Sequence, residues 1–203
     1  MKGRGLLVVI SSPSGGGKTT ICRGLMKNHK DYMFSVSATT RNPRTGEKHG
    51  KDYYFLTEKE FKQKVKSGQL AEWACVHNYY YGTLKRFTDL AQKTKRIVLF
   101  DVDVQGGASL KEKYPDAVLI FLLPPTLSEL KRRLRGRKTD LPEEMKKRLG
   151  AALKEMRFVT KYDYVVINKK IDQSVKEVEE IINSESRRAS RLQLIEHVQS
   201  MKS

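Results

Sequence analysis

The stretch that most constrains this chain is Ser11-Ser12-Pro13-Ser14-Gly15-Gly16-Gly17-Lys18-Thr19-Thr20. It comes after the apolar run Leu6-Leu7-Val8-Val9-Ile10 and precedes a segment with helical spacing at Ile21, Leu25 and Met26. The order of strand, glycine loop, lysine, hydroxyl and helix is that of a phosphate-binding loop. Three glycines let the backbone turn and bring its N–H groups against phosphate oxygens with no Cβ in the way. The helix behind them adds its positive dipole end. Lys18 supplies a mobile charge for the β- and γ-phosphates, and Thr19 a hydroxyl for Mg²⁺. One position departs from the pattern: Ser12 stands where the first glycine of G-x-x-x-x-G-K-[ST] belongs.

The run Leu6–Ile10 does not alternate, so it reads as a strand buried on both faces of a parallel sheet. The runs at 97–100, 117–122 and 164–167 read likewise, and Asp101 and Asp103 come just after the first of them. Acidic groups at the carboxyl end of a parallel strand lie where α/β ligands bind. Asp101 is expected to support Mg²⁺ or its waters, and Asp103 to lie at the edge of the nucleotide site. The residue pattern does not divide these tasks firmly.

Between the first helix, 18–27, and the next buried strand lies a different texture. Phe34–Glu47 opens as a short strand and becomes a hydroxyl-rich loop carrying Arg41 and Arg44, with Pro43 and Gly46 ruling out a helix. Two guanidinium groups on a turn suit bidentate capture of a phosphate. A solvated basic turn is the alternative. Asp52–Leu56 and Leu70–Val76 read as strands. Thr57-Glu58-Lys59-Glu60 is a capping box for a helix to about Lys66, which Ser67-Gly68 ends. Thr126-Leu127-Ser128-Glu129 is a second capping box, for a helix to about Arg135. Residues 131–148 hold nine lysines and arginines, broken by Gly136 and Pro142. A last helix starts near Asp172 and buries Val175, Val178, Ile181 and Ile182.

The blocks Ser35-Val36-Ser37-Ala38-Thr39-Thr40-Arg41 with Pro43-Arg44 and Gly46-Glu47, Gly50-Lys51-Asp52-Tyr53-Tyr54-Phe55, Glu72-Trp73 and Tyr80-Tyr81-Gly82-Thr83 resemble the guanylate kinase family. So do Asp101–Gly106, Pro124-Pro125, Arg132-Arg133-Leu134 with Gly136-Arg137, Lys147-Arg148-Leu149 and Tyr162–Val166 with Asn168. The resemblance runs in order from Leu6 to about Ile182. It implies an α/β fold: a parallel P-loop sheet flanked by helices, with a β-rich GMP-binding insert over 35–83 and a helical lid near 131–148 within a core of 1–34 and 84–203. It implies transfer of the γ-phosphoryl of MgATP to GMP. Ser14, Gly15, Gly16, Gly17, Lys18, Thr19 and Thr20 would hold ATP, and Asn168 its adenine. Arg41, Arg44, Tyr53 and Tyr81 would hold the GMP phosphate. Glu72 would accept from guanine N1–H and N2–H₂, Ser37 and Thr83 would donate to O6, and Asp103 would border the site. Lys18, Arg133, Arg137 and Arg148 would serve catalysis, and Thr19 and Asp101 would hold the metal.

The net charge of +17 favours an anionic partner. Nucleotides fit it, and so does nucleic acid. No recognition helix or RNA-binding motif accompanies the charge, so no specific nucleic acid is expected. A catalytically silent guanylate-kinase-like interaction module is the other rival, and the intact Lys18 loop argues against it. No apolar stretch is long enough for a membrane span, and two cysteines make no disulfide framework. The expected compartment is the cytoplasm. The pattern leaves the oligomeric state and the tail after Ser184 unread.

Overall fold

The structure is a computed structural model and describes residues 5–76, 78–135 and 142–191. Its centre is β1 (Leu6–Ser11), every residue of which is buried. Next come α1 (Lys18–Asn28), β2 (Met33–Ser35), β3 (Ala38–Thr39), β4 (Tyr54–Phe55), α2 (Glu58–Lys66), β5 (Leu70–Val76) and β6 (Tyr79–Leu84). The second half contains α3 (Lys85–Thr94), β7 (Ile97–Asp101), α4 (Val104–Lys113), β8 (Val118–Leu123), α5 (Leu127–Arg135), α6 (Pro142–Met156), β9 (Tyr164–Ile167) and α7 (Ile171–Ser186). Five strands form a wholly parallel sheet in the order β2-β7-β1-β8-β9.

Alternate residues of β1 serve opposite cores. Leu6, Val8 and Ile10 meet Ile21, Leu25, Val175, Val178 and Ile182 of α1 and α7. Leu7 and Val9 meet Ala91 of α3 and Leu110 of α4. Burial on both faces is why the run shows no polar alternation. The register sets Ile10 beside Asp101 of β7, so the loop leaving β1 emerges next to that carboxylate. Leu123 pairs with Ile167, and Asn168 N–H donates to the Leu123 carbonyl at 2.7 Å, which fixes Asn168 at the same end of the sheet.

A second sheet, ordered β4-β3-β6-β5, stands on a small core of Ala38, Phe61, Leu70 and Leu84. The capping box at Thr57 is complete, with Thr57 and Glu60 each satisfying the other's backbone N–H. The box at Thr126 is half formed. Thr126 Oγ1 accepts from Glu129 N–H, but the Glu129 carboxylate turns to Arg132 and Arg133. The cations three and four residues on outcompete the helix end for it. The strand expected over 52–56 shrinks to Tyr54–Phe55, because Gly50 N–H bonds back to the Tyr53 carbonyl and closes a turn first. Pro142 begins α6, a position where its missing N–H costs nothing.

Candidate active site

The phosphate loop takes its shape from two glycines. Gly15 and Gly17 have φ of +83° and +97°, where any side chain is strained. Ser12 is not among the residues with positive φ, so the first motif position needs no glycine here. Its side chain is buried, donates to the Pro13 carbonyl at 2.9 Å, and fills the space under Gly16, whose added Cβ would lie 2.4 Å from Ser12 Oγ. Gly16 N–H closes the turn on the same carbonyl at 2.8 Å. Gly17 then caps α1, whose first turn carries no acidic residue. The positive end of that helix is left to a ligand. Lys18 Nζ lies 3.5 Å from the Ser12 carbonyl and 4.0 Å from Asp101 Oδ1, while Thr19 donates to Asp101 Oδ2 at 2.7 Å.

Beside the loop opens a cleft of about 1020 Å³. Thr19 and Asp101 form one wall, and Ser37, Arg41, Arg44 and Tyr53 line it from the second sheet and its loop. Arg41 is set by Glu47, which accepts from Nη2 at 2.9 Å, and by the Asn42 carbonyl at 2.6 Å. Burial works against the Arg41 charge, but the Glu47 pairing and a hydrogen bond with Tyr81 overcome it and hold the guanidinium firmly protonated. The other Glu47 oxygen accepts from Arg44 N–H at 2.7 Å, so one carboxylate shapes the whole turn. Burial, with the nearby Asp101 charge, pushes the Tyr53 phenol up to about 12 and keeps it a donor.

Glu72 and Thr83 face each other across the β5–β6 pair. Glu72 is 5% exposed, and its Oε1 accepts from Thr83 Oγ1 at 2.6 Å. Burial pushes the Glu72 carboxyl up to about 7; the Thr83 hydrogen bond opposes this, and the Asp103 charge adds to it. Three residues therefore hold tasks that the sequence did not foresee. The Thr83 hydroxyl donates to Glu72. Asp103 Oδ1 caps α4, accepting from Gln105 and Gly106 N–H. Asn168 is fully buried, donates from Nδ2 to the Gly16 carbonyl at 2.9 Å and accepts from Ser174, so its side chain braces the phosphate loop.

The basic helices reach the same loop. Arg133 bonds Glu129 through Nε and the Asn168 carbonyl through Nη2, both at 2.8 Å. Leu130 and Leu134 of α5 pack on Ala152, with Leu149 and Met156, and Leu134 Cδ2 would lie 3.2 Å from a Cβ on Gly15. Arg148 lies on α6. Arg137 lies outside the described residues.

The sequence profile of the family described as Guanylate kinase matches residues 4–185. The chain belongs to the guanylate kinase family. A guanylate kinase of Caldanaerobacter subterraneus subsp. tengcongensis is 45% identical over 191 residues, 94% of this chain and 93% of that protein. One of Myxococcus xanthus is 43% identical over 189 residues, 93% of this chain and 90% of that one. The crystal structure of guanylate kinase from Anaplasma phagocytophilum superposes with a TM-score of 0.84 at 31% identity, covering 98% of this chain and 96% of that chain.

Glu47, which organises the two arginines of this guanylate kinase fold, was not foreseen as a site residue although it stands close after them. Its signal was a carboxylate six residues from Arg41 across a Pro-Gly turn. Glu155, which accepts from Ser14 N–H at 3.0 Å, left no signal, since it lies 141 residues away on a helix with many charges.

Proposed function

We propose that this chain transfers the γ-phosphoryl group of ATP to GMP, giving ADP and GDP. One observation carries the reading: Thr19 and Asp101, at the phosphate loop, share a single cleft with Arg41, Arg44 and Tyr53. A donor bound on Gly15–Thr19 and an acceptor phosphate held by the two arginines would then meet in that cleft. Two polyanions repel, so positioning and neutralisation do most of the work. Lys18 offsets charge on the donor, and Arg133, Arg137 and Arg148 on the group in flight. Arg41, Arg44, Tyr53 and Tyr81 hold the GMP phosphate, whose oxygen is already anionic, so no general base is needed. Glu72, oriented by Thr83, accepts from both guanine donors, with Ser37 near O6. The cleft is also lined by Arg23, Lys27, Lys30, Lys48 and Lys51. Their field suits capture of nucleotide anions and gives part of the net charge a use.

The donor set fits Mg²⁺. Thr19 Oγ1 and Asp101 form a hydroxyl–carboxylate pair at the loop, and among the described residues no cluster of three or more His, Cys, Asp or Glu is placed for a metal. Mg²⁺ is usually held by one or two carboxylates, waters and substrate phosphates rather than by an all-protein cage. Thr19 and Asp101 would hold it, and it would supply Lewis-acid neutralisation of phosphate charge. Among the described residues no helix is long and apolar enough to cross a membrane. A coupled assay for ADP formation tests the reading. Turnover should require GMP and collapse when AMP replaces it. Equal turnover with both, or none with either, would refute it.

A further inference from the structure

Glu155 reaches the phosphate loop from the far end of α6. Its Oε2 accepts from Ser14 N–H at 3.0 Å, tying the end of α6 to the phosphate loop. Arg148 stands seven residues earlier on the same helix. Seven residues are almost two turns, so the two side chains leave one face about 10 Å apart. α6 also packs on α5 through Ala152, Leu149 and Met156, and α5 rests Leu134 against Gly15. Both basic helices thus touch the loop, α6 through a hydrogen bond and α5 through apolar side chains. We propose that Glu155 is a positioning residue for phosphoryl transfer: its bond to Ser14 sets the register between the phosphate loop and α6, and so places Arg148 over the transferring group.

The inference rests on the phosphoryl-transfer reading given above. It attributes the effect to reach rather than to charge, and two variants separate these. Glu155→Asp keeps the charge but withdraws the oxygen by one methylene. Glu155→Gln loses the charge but keeps an oxygen that accepts from Ser14 N–H. Glu155→Asp should lower kcat about 10- to 100-fold, the scale of a misplacement of about 1 Å, and leave the KM for GMP within about twofold. Glu155→Gln should stay within a few-fold of wild type. On an Arg148→Ala background, Glu155→Asp should cost little more, because coupled positions are not additive. All variants are assayed well below their melting temperatures, so a loss of stability alone moves none of these readouts.

A kcat near wild type for Glu155→Asp would overturn the proposal. So would equal impairment of the Asp and Gln variants, or losses that multiply with Arg148→Ala. ATP affinity, measured by calorimetry without GMP, needs no turnover. It should weaken several-fold in Glu155→Asp and hold in Glu155→Gln, and the opposite order would overturn the proposal. A wild-type protein that binds ATP but transfers nothing to GMP refutes the functional reading, and the calorimetric comparison still decides the tie between Glu155 and the loop.

Discussion

Replacing Glu72 by Gln separates base recognition from folding. The side chain is 5% exposed, and burial raises its carboxyl from 4.5 to about 7. A carboxyl raised on folding holds its proton more tightly in the folded state, so it is neutral and harmless below about 4.5. Its cost appears as pH climbs toward about 7 and is complete above that. At about 1.4 kcal/mol per pKa unit, the ionised form costs the empty protein on the order of 3 kcal/mol at pH 8. Gln carries no such cost and can still accept from Thr83, so the variant should melt several degrees higher at pH 8. Function should move the other way. A hydrogen bond to a charged acceptor contributes ~1.5–3 kcal/mol, and a buried donor left unmatched costs ~1–3 kcal/mol. Gln meets one guanine donor and sets its own NH₂ against the other. GMP should lose on the order of 10²- to 10⁴-fold in kcat/KM. IMP lacks the N2 amino group and should lose only about tenfold, because its one donor still finds the amide oxygen. The assay is kcat/KM for both substrates in both proteins, with thermal melts at pH 8. Equal losses for GMP and IMP would refute the reading of N2, and a less stable variant would refute the stored cost of the buried carboxylate.

Three further outcomes rest on the same geometry. GMP binding should favour the Glu72 carboxylate, so the KM for GMP should rise as pH falls below about 7, by up to tenfold per unit. Glu72→Gln should show only the gentler dependence that comes from GMP's own phosphate, and a parallel profile in both proteins would assign the effect elsewhere. Lys18→Met keeps the stem and removes the charge near Asp101, so kcat should fall on the order of 10²-fold or more with circular dichroism unchanged; normal turnover would remove Lys18 from the chemistry. Gly17→Ala places a Cβ 2.5 Å from Asn168 Nδ2 at a φ of +97°, and should cost at least about 2 kcal/mol, or ~4–8 °C of melting temperature, as read by calorimetry.

The parallel sheet was legible because burial on both faces of β1 writes an unbroken apolar run, and because a glycine loop of this pattern is flanked by a buried strand and a helix. The Arg41–Arg44 turn was legible from Pro43 and Gly46. The β5–β6 hairpin was less so: Val76 pairs with Tyr79 across two residues, and its one signal was Asn78, which takes φ +66°. α4 hid behind Gly106 and Gly107, residues that suggest a loop, while its true marker was Asp103 as N-cap. The partners that Asn168 and Thr83 meet within the chain, Gly16 and Ser174 for the one and Glu72 for the other, were not foreseen. A sequence marks a polar residue near a site, but which of several acceptors it meets depends on contacts such as Asn168 to Gly16, 152 residues apart.

The most direct test of the account traces the phosphoryl group itself. ATP labelled at the γ-position is mixed with GMP, Mg²⁺ and the protein, and products are separated at early times. The label should appear in GDP, one equivalent for each ADP formed, with almost none as inorganic phosphate and little in ADP when AMP replaces GMP. Label released to water, or passed to AMP as readily as to GMP, would contradict the claim that the phosphate loop and the Arg41–Arg44 cleft form one site built for guanine nucleotides.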